Sequence, residues 1–132
     1  MTRTLTAARR MAALGLSAVA VVAAPGAAPP AAAATPAADL FITVTPKDGG
    51  AYAMRLRCDP DGGTHPRPGK ACDALRTVDG WVDDLDVDPG PCPMIYLPVD
   101  VEVTGNWYRR AVSYRHEFPN ECVMRRTLGP VV

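Results

Sequence analysis

The sequence predicts an α+β fold: an antiparallel sheet with helix packed on one face, closed by two disulfides. Three observations predict it. Residues 51–58 and 99–118 alternate apolar and polar side chains, the period of half-buried strands. Between them Ala71, Leu75, Val78, Val82 and Leu85 recur at spacings of four and three, one face of an amphipathic helix. Four cysteines, Cys58, Cys72, Cys92 and Cys122, follow an export-type leader, an even count in a chain bound for an oxidising compartment.

The leader is read first. Arg3, Arg9 and Arg10 supply positive charge, Met11 to Ala24 is apolar and uncharged, and small residues follow as far as Ala34. That is the pattern of a secretory signal peptide. A membrane anchor would need about twenty apolar residues. Residues 1–34 are therefore expected to be removed, leaving one domain over residues 35–132, soluble and extracellular, with no lipid anchor at Val131–Val132. The leader takes three basic residues and no acidic ones from a chain with fourteen of each. The remaining mild acidity argues against a nucleic-acid partner, which would call for a basic patch.

The elements follow in order. Thr35 to Ala38 reads as a loose tail, and Leu40 to Thr45 as a strand rich in β-branched residues. Pro46 to Gly50 is a turn cluster. Ala51 to Cys58 puts Tyr52, Met54, Leu56 and Cys58 on one face and Arg55 and Arg57 on the other, so the two strands form a hairpin. Asp59 to Lys70, with its prolines and glycines, reads as a loop. The helical face then runs from Ala71 to Leu85, weakened at Gly80 by about 1 kcal/mol relative to alanine.

Asp84, Asp86 and Asp88 have the spacing of a calcium loop but lack the glycine and glutamate that complete the motif, so they read as a solvated helix end. Val99, Val101 and Val103 alternate with polar residues up to Gly105-Asn106, which is expected to be a type II′ turn. The returning strand, Trp107 to Phe118, puts Tyr108, Val112, Tyr114 and Phe118 on one face. Asn120 to Arg126 reads as a short helical turn, and the last residues as a candidate fifth strand.

For chemistry, a nucleophile–base pair is not visible. Ser113 is the one serine beyond the leader, it lies in a strand pattern, and no G-x-S-x-G elbow surrounds it. Cysteines in disulfides offer no thiolate. Zinc sites favour close Cys/His spacing, whereas these cysteines stand apart and His65 and His116 are isolated. No enzyme activity, metal or cofactor is expected.

The informative segment is Pro89-Gly90-Pro91-Cys92-Pro93-Met94-Ile95-Tyr96. Each proline fixes its own φ and biases the preceding residue to extended geometry. The segment is thus held extended before anything binds it. Met94 has no place in the strand pattern, and from local features alone it reads equally well as a gap-filling core methionine.

Longer stretches resemble a known family. Cys58, then Gly63-Thr64-His65-Pro66, Pro68-Gly69 and Ala71-Cys72, then Cys92-Pro93-Met94-Ile95-Tyr96, Val112-Ser113-Tyr114, Phe118 and Asn120-Glu121-Cys122 stand in the order of the Streptomyces-type subtilisin inhibitors. The resemblance covers about Leu40 to Met124. It implies a five-stranded antiparallel sheet with two short helices, a homodimer, and pairing of Cys58 with Cys72 and of Cys92 with Cys122. It implies that Met94–Ile95 is the bond offered to the protease, with Met94 as P1, Ile95 as P1′, and Pro93, Cys92 and Pro91 as P2, P3 and P4. Tyr96 would complete the contact loop, and Asn120 is a candidate support through its side-chain amide. The expected partners are extracellular serine endopeptidases of the subtilisin type. A stapled binding module without inhibitory activity is the alternative. The chain departs from the family in a shorter first hairpin loop, a shorter Cys58–Cys72 segment and an altered carboxyl-terminal tail.

Overall fold

A computed structural model describes Gly26 and residues 30–132, so most of the expected signal peptide lies outside the described residues. The expected fold class is present: five antiparallel strands, two helices and two disulfides. The first hairpin pairs β1 (Ala38–Pro46) with β2 (Tyr52–Cys58), aligning Leu40 with Leu56 and Ile42 with Met54. The other edge of β1 pairs with β4 (Val99–Trp107), which pairs in turn with β5 (Arg110–Phe118). With a short edge strand, β3 (Gly62–Gly63), outside β2, the order is β3-β2-β1-β4-β5.

The strands obey their period except at Tyr52, expected on the inner face with Met54, Leu56 and Cys58 but exposed at the start of β2. Leu40, Ile42, Val44, Leu56, Val101 and Val103 are buried on the inner face, and Phe41 and Arg55 stand out on the other. Helix α1 (Pro68–Thr77) adds Ala71, Cys72 and Leu75 to this core, and α2 (Glu121–Leu128) adds Met124 and Leu128. Cys58–Cys72 ties β2 to α1.

Four further expectations change. The helix does not continue to Leu85. It ends at Thr77 in a Schellman motif, where Gly80 N–H donates to Leu75 O at 2.8 Å and Asp79 N–H to Arg76 O at 3.3 Å. Asp79 and Gly80 both take positive φ. A β-carbon on Gly80 would lie 2.3 Å from the Trp107 ring, so glycine is required there for closeness as well as conformation. Val82 and Leu85 still reach the core, carried by a separate 3-10 turn, Val82–Asp84. Spacing alone could not separate one long helix from a helix, a break and a turn.

The second correction concerns the hairpin turn. It lies at Tyr108-Arg109, between Trp107 and its partner Arg110, and Tyr108 carries the positive φ. Gly105 is inside β4 instead, at φ +137, where a β-carbon would fall 2.1 Å from the Asp39 carbonyl oxygen. The glycine serves close backbone approach, which gives the same sequence signal as a turn. Trp107 is therefore the buried residue, and Tyr108 is half exposed rather than on the core face with Val112, Tyr114 and Phe118.

The third and fourth corrections belong together. The fifth strand is not carboxyl-terminal. It is the two-residue β3 (Gly62–Gly63) on the outer edge of β2, within the segment expected to be loop. The chain end forms a 3-10 turn, Gly129–Val131, with Val131 fully buried. A pair of glycines carries no hydrophobic period, which is why the sequence hid this strand.

Candidate functional site

The segment joining the 3-10 turn at Val82–Asp84 to β4 arches over one end of the sheet. Its exit is fixed by the sheet: Lys47 N–H donates to Pro98 O at 3.0 Å, and Val99 then pairs with both Pro46 and Phe118. At its apex Met94 is fully exposed, at 105% of its reference area, followed by Ile95 at 55% and Tyr96 at 71%. Apolar side chains displayed in this way are not core. The gap-filling reading of Met94 therefore fails on burial.

The apex is held from below. Cys92 is bonded to Cys122 with a Cα–Cα distance of 5.9 Å, the pairing the resemblance implied, and Cys122 is the second residue of α2. Asn120, the residue before that helix, is 9% exposed. Its Oδ1 accepts from Val123 N–H at 3.0 Å, capping α2. Its Nδ2 donates to Pro93 O at 3.2 Å and to Ile95 O at 2.9 Å, the carbonyls on either side of Met94. One amide thus caps the helix and spans the apex. The sequence offered Asn120 as a candidate support through this amide and gave no sign of the helix cap made by its oxygen.

Two further contacts escaped the sequence. Leu97 N–H donates to Pro119 O at 2.9 Å, anchoring the carboxyl-terminal side of the apex. Tyr96 OH reaches Glu117 Oε1 at 3.3 Å. Nearby, the Asp100 carboxylate accepts from Lys47 Nζ at 2.8 Å and pushes that ammonium above the usual lysine range. No motif signals the Leu97–Pro119 bond, because it joins main-chain groups.

What remains free is as informative as what is bound. No hydrogen bond engages the N–H or C=O of Met94 among the described residues. An extended segment with unpaired main-chain groups can add as a strand to another protein, with alternate side chains entering pockets. The calcium-like carboxylates do not gather: Asp84, Asp86 and Asp88 are all exposed, and Asp88 pairs with Arg126 at 2.9 Å. Asp61 does lie close to the Cys58 and Cys72 sulfurs, but those sulfurs are bonded to each other and offer no thiolate to a metal.

Fold and loop together define a disulfide-stapled protein that displays an apolar apex tied by a disulfide and a side-chain amide. Comparison with known proteins gives the family: residues 36–120 match the subtilisin inhibitor-like family model, and the chain belongs to that family. It is a family of protease inhibitors, not of enzymes. The subtilisin inhibitor of Streptomyces albogriseolus is 40% identical over 114 residues, covering 80% of this chain and 76% of that one. Subtilisin inhibitor-like protein 8 of Streptomyces virginiae is 44% identical over 80 residues, covering 58% and 72%. The crystal structure of Streptomyces caespitosus sermetstatin in complex with Bacillus licheniformis subtilisin aligns at a TM-score of 0.57 and 35% identity, covering 71% of this chain and 96% of that one.

Proposed function

We propose that this chain inhibits serine proteases of the subtilisin type, and with its methionine P1 also chymotrypsin-like ones, by offering Met94–Ile95 as a substrate-like bond. The observation that carries the reading is the full exposure of Met94 above an amide that holds the carbonyls on both sides of it. Met94 enters the S1 pocket as P1, Ile95 follows as P1′, Pro91, Cys92 and Pro93 occupy P4 to P2, and Tyr96 lies beyond the bond.

The mechanism follows from preorganisation. A flexible peptide loses about 0.5–1.5 kcal/mol for each side chain immobilised on binding, besides the ordering of its backbone. Here prolines, Cys92–Cys122 and Asn120 have removed most of that freedom beforehand. The protease serine faces the Met94 carbonyl beside its oxyanion hole. If the bond is cut, the same clamps keep the new amine on Ile95 beside the acyl group, which favours resealing. A relative's complex with subtilisin is consistent with this partner class.

The reading extends to where the chain acts and how it assembles. Residues 1–34 direct export and are removed, and the domain from residue 35 to 132 works outside the cell as a homodimer. The helices lie on one face of the sheet, and the other, bearing Phe41 and Thr43, is the natural place for a second copy. Inhibition constants against subtilisin, chymotrypsin and trypsin test the function. Mass spectrometry of the exported protein tests the leader, and sedimentation at micromolar concentration tests the dimer. Absence of subtilisin inhibition by the folded, oxidised protein would overturn the reading.

A further inference from the structure

Helix α2 meets the loop at both of its own ends. Its start holds the apex through Asn120 and Cys122. Its finish holds the arm that leads into the apex. The last carbonyls of a helix have no partner within it, and here the arm supplies two. Asp88 N–H donates to Arg126 O at 2.9 Å and Val87 N–H to Thr127 O at 3.1 Å. The Arg126 guanidinium then returns to the same residue, with Nη1 donating to Asp88 O at 3.1 Å and to Asp88 Oδ2 at 2.9 Å.

Gly90 marks how closely that guanidinium passes. A β-carbon on Gly90 would lie 2.4 Å from Arg126 Nη1. The φ of Gly90 is outside the left-handed region, so its backbone would accept alanine. The nearest obstacle is the arginine. An ion pair with a carboxylate as exposed as that of Asp88 adds little to stability. Its geometry, however, fixes a main-chain carbonyl only a few residues before Met94.

We propose that Arg126 is a positioning residue for the reactive loop, locking its amino-terminal arm through Asp88 in the space that Gly90 leaves open. This rests on Met94–Ile95 being the reactive bond. Hydrolysis adds one water across that bond, leaving a carboxylate on Met94 and an amine on Ile95, and resealing expels the water. The amine side is held by Leu97–Pro119 and the Asn120–Ile95 bond. The acyl side is held by Cys92–Cys122 and the Asn120–Pro93 bond, and behind them by Arg126. Without Arg126 the acyl arm pivots about the disulfide, and the two ends separate more readily.

The test combines Arg126→Ala, Arg126→Lys, Gly90→Ala and the double variant Gly90→Ala/Arg126→Ala. The readouts are the subtilisin inhibition constant and the cleaved-to-intact ratio at equilibrium with a trace of subtilisin. Arg126→Ala should raise the ratio about tenfold and the inhibition constant several-fold, a share of the ordering cost that preorganisation removes. The melting temperature should stay nearly constant. Gly90→Ala should reproduce this by displacing the guanidinium, the double variant should be no worse than either single one, and Arg126→Lys should fall between. Additive effects of Gly90→Ala and Arg126→Ala would overturn the proposal, because they would act through separate contacts. So would an unchanged ratio in Arg126→Ala while the parent protein inhibits and is cut at Met94–Ile95. If the parent is neither an inhibitor nor cut there, the functional reading falls instead. Amide exchange at Asp88 in the free protein then decides the clamp: faster exchange in Arg126→Ala supports it, and an unchanged rate overturns it.

Discussion

Asn120 donates to the Ile95 carbonyl at 2.9 Å from a side chain whose oxygen already caps α2 through Val123. The same residue therefore sets both where the helix begins and where the apex sits. Its two roles use different atoms, so substitution can separate them.

Asn120→Asp should retain the cap, since a carboxylate oxygen accepts from Val123 N–H as well as an amide oxygen does. Its second oxygen would face the Pro93 and Ile95 carbonyls with no proton to give. Two bonds of about 0.5–1.5 kcal/mol each would be lost and replaced by repulsion. Inhibition of subtilisin should weaken about tenfold or more, and the melting temperature should fall as well, because both bonds are already made in the free protein. Asn120→Ala should lose both roles, weakening inhibition and costing about 1 kcal/mol of stability through the cap. Equal inhibition by the parent and Asn120→Asp would remove Asn120 from the support of the loop.

The two disulfides should behave differently. Cys58 and Cys72 are 14 residues apart and Cys92 and Cys122 are 30 apart, so loop closure alone is worth about 3 and about 4 kcal/mol. Replacing Cys58 and Cys72 by serine should lower the melting temperature and leave the inhibition constant of the folded fraction intact, because that bridge joins β2 to α1 away from the apex. Replacing Cys92 and Cys122 should damage both. Titration of folded protein against subtilisin, beside calorimetry, distinguishes the pair.

His65 ties the loop before α1 to the chain end. Its Nδ1 accepts from Arg67 N–H at 3.0 Å, which leaves the proton on Nε2 to donate to Val131 O at 3.2 Å. The ring is 5% exposed, and burial holds its pKa below the usual histidine value, aided by the charge of Arg67. A lowered folded pKa means that the unfolded chain takes up the proton first. The stability from neutral His65 is fully present above the unfolded value near 6.5 and is lost as pH falls through the folded value. Melting temperature should therefore decline below about pH 6.5, and His65→Gln should flatten that decline. A parallel decline in the variant would assign it to other groups.

Much of the frame was legible in the sequence because burial on one face imposes a period. Leu40, Ile42, Leu56, Val101 and Val103 declare their strands by alternation alone. The errors fell on glycines. Gly80 and Gly105 both take positive φ, one to end a helix beneath Trp107 and the other to admit the Asp39 carbonyl inside a strand. Neither neighbour is near in sequence, so the reason for the glycine cannot be read locally. The same holds for the site. Cys92, Met94 and Asn120 stood out by composition and likeness, whereas Leu97–Pro119 joins main-chain atoms and Arg126 looked like any basic residue in a last helical turn.

The choice of protease should follow from Met94. Its side chain is fully exposed, and its main-chain groups make no bond among the described residues, so on the proposed reading a substitution there alters the contact with the partner's S1 pocket and little else. A long, uncharged, flexible chain suits the broad apolar pockets of subtilisin and chymotrypsin. It suits trypsin poorly, because the trypsin pocket ends in an aspartate that takes lysine or arginine. Met94→Lys should therefore improve trypsin inhibition, by tenfold or more if the new pair contributes about 1.4 kcal/mol. Subtilisin inhibition should fall less, since main-chain pairing along the loop supplies much of the contact. Met94→Asp should be worst for both enzymes, because it strips water from a carboxylate and offers it no partner. None of these changes should move the melting temperature. Three inhibition constants per protease suffice. If Met94→Lys and Met94→Asp inhibit both enzymes as the parent does, Met94 does not enter S1 and the reactive bond must be sought elsewhere on the chain.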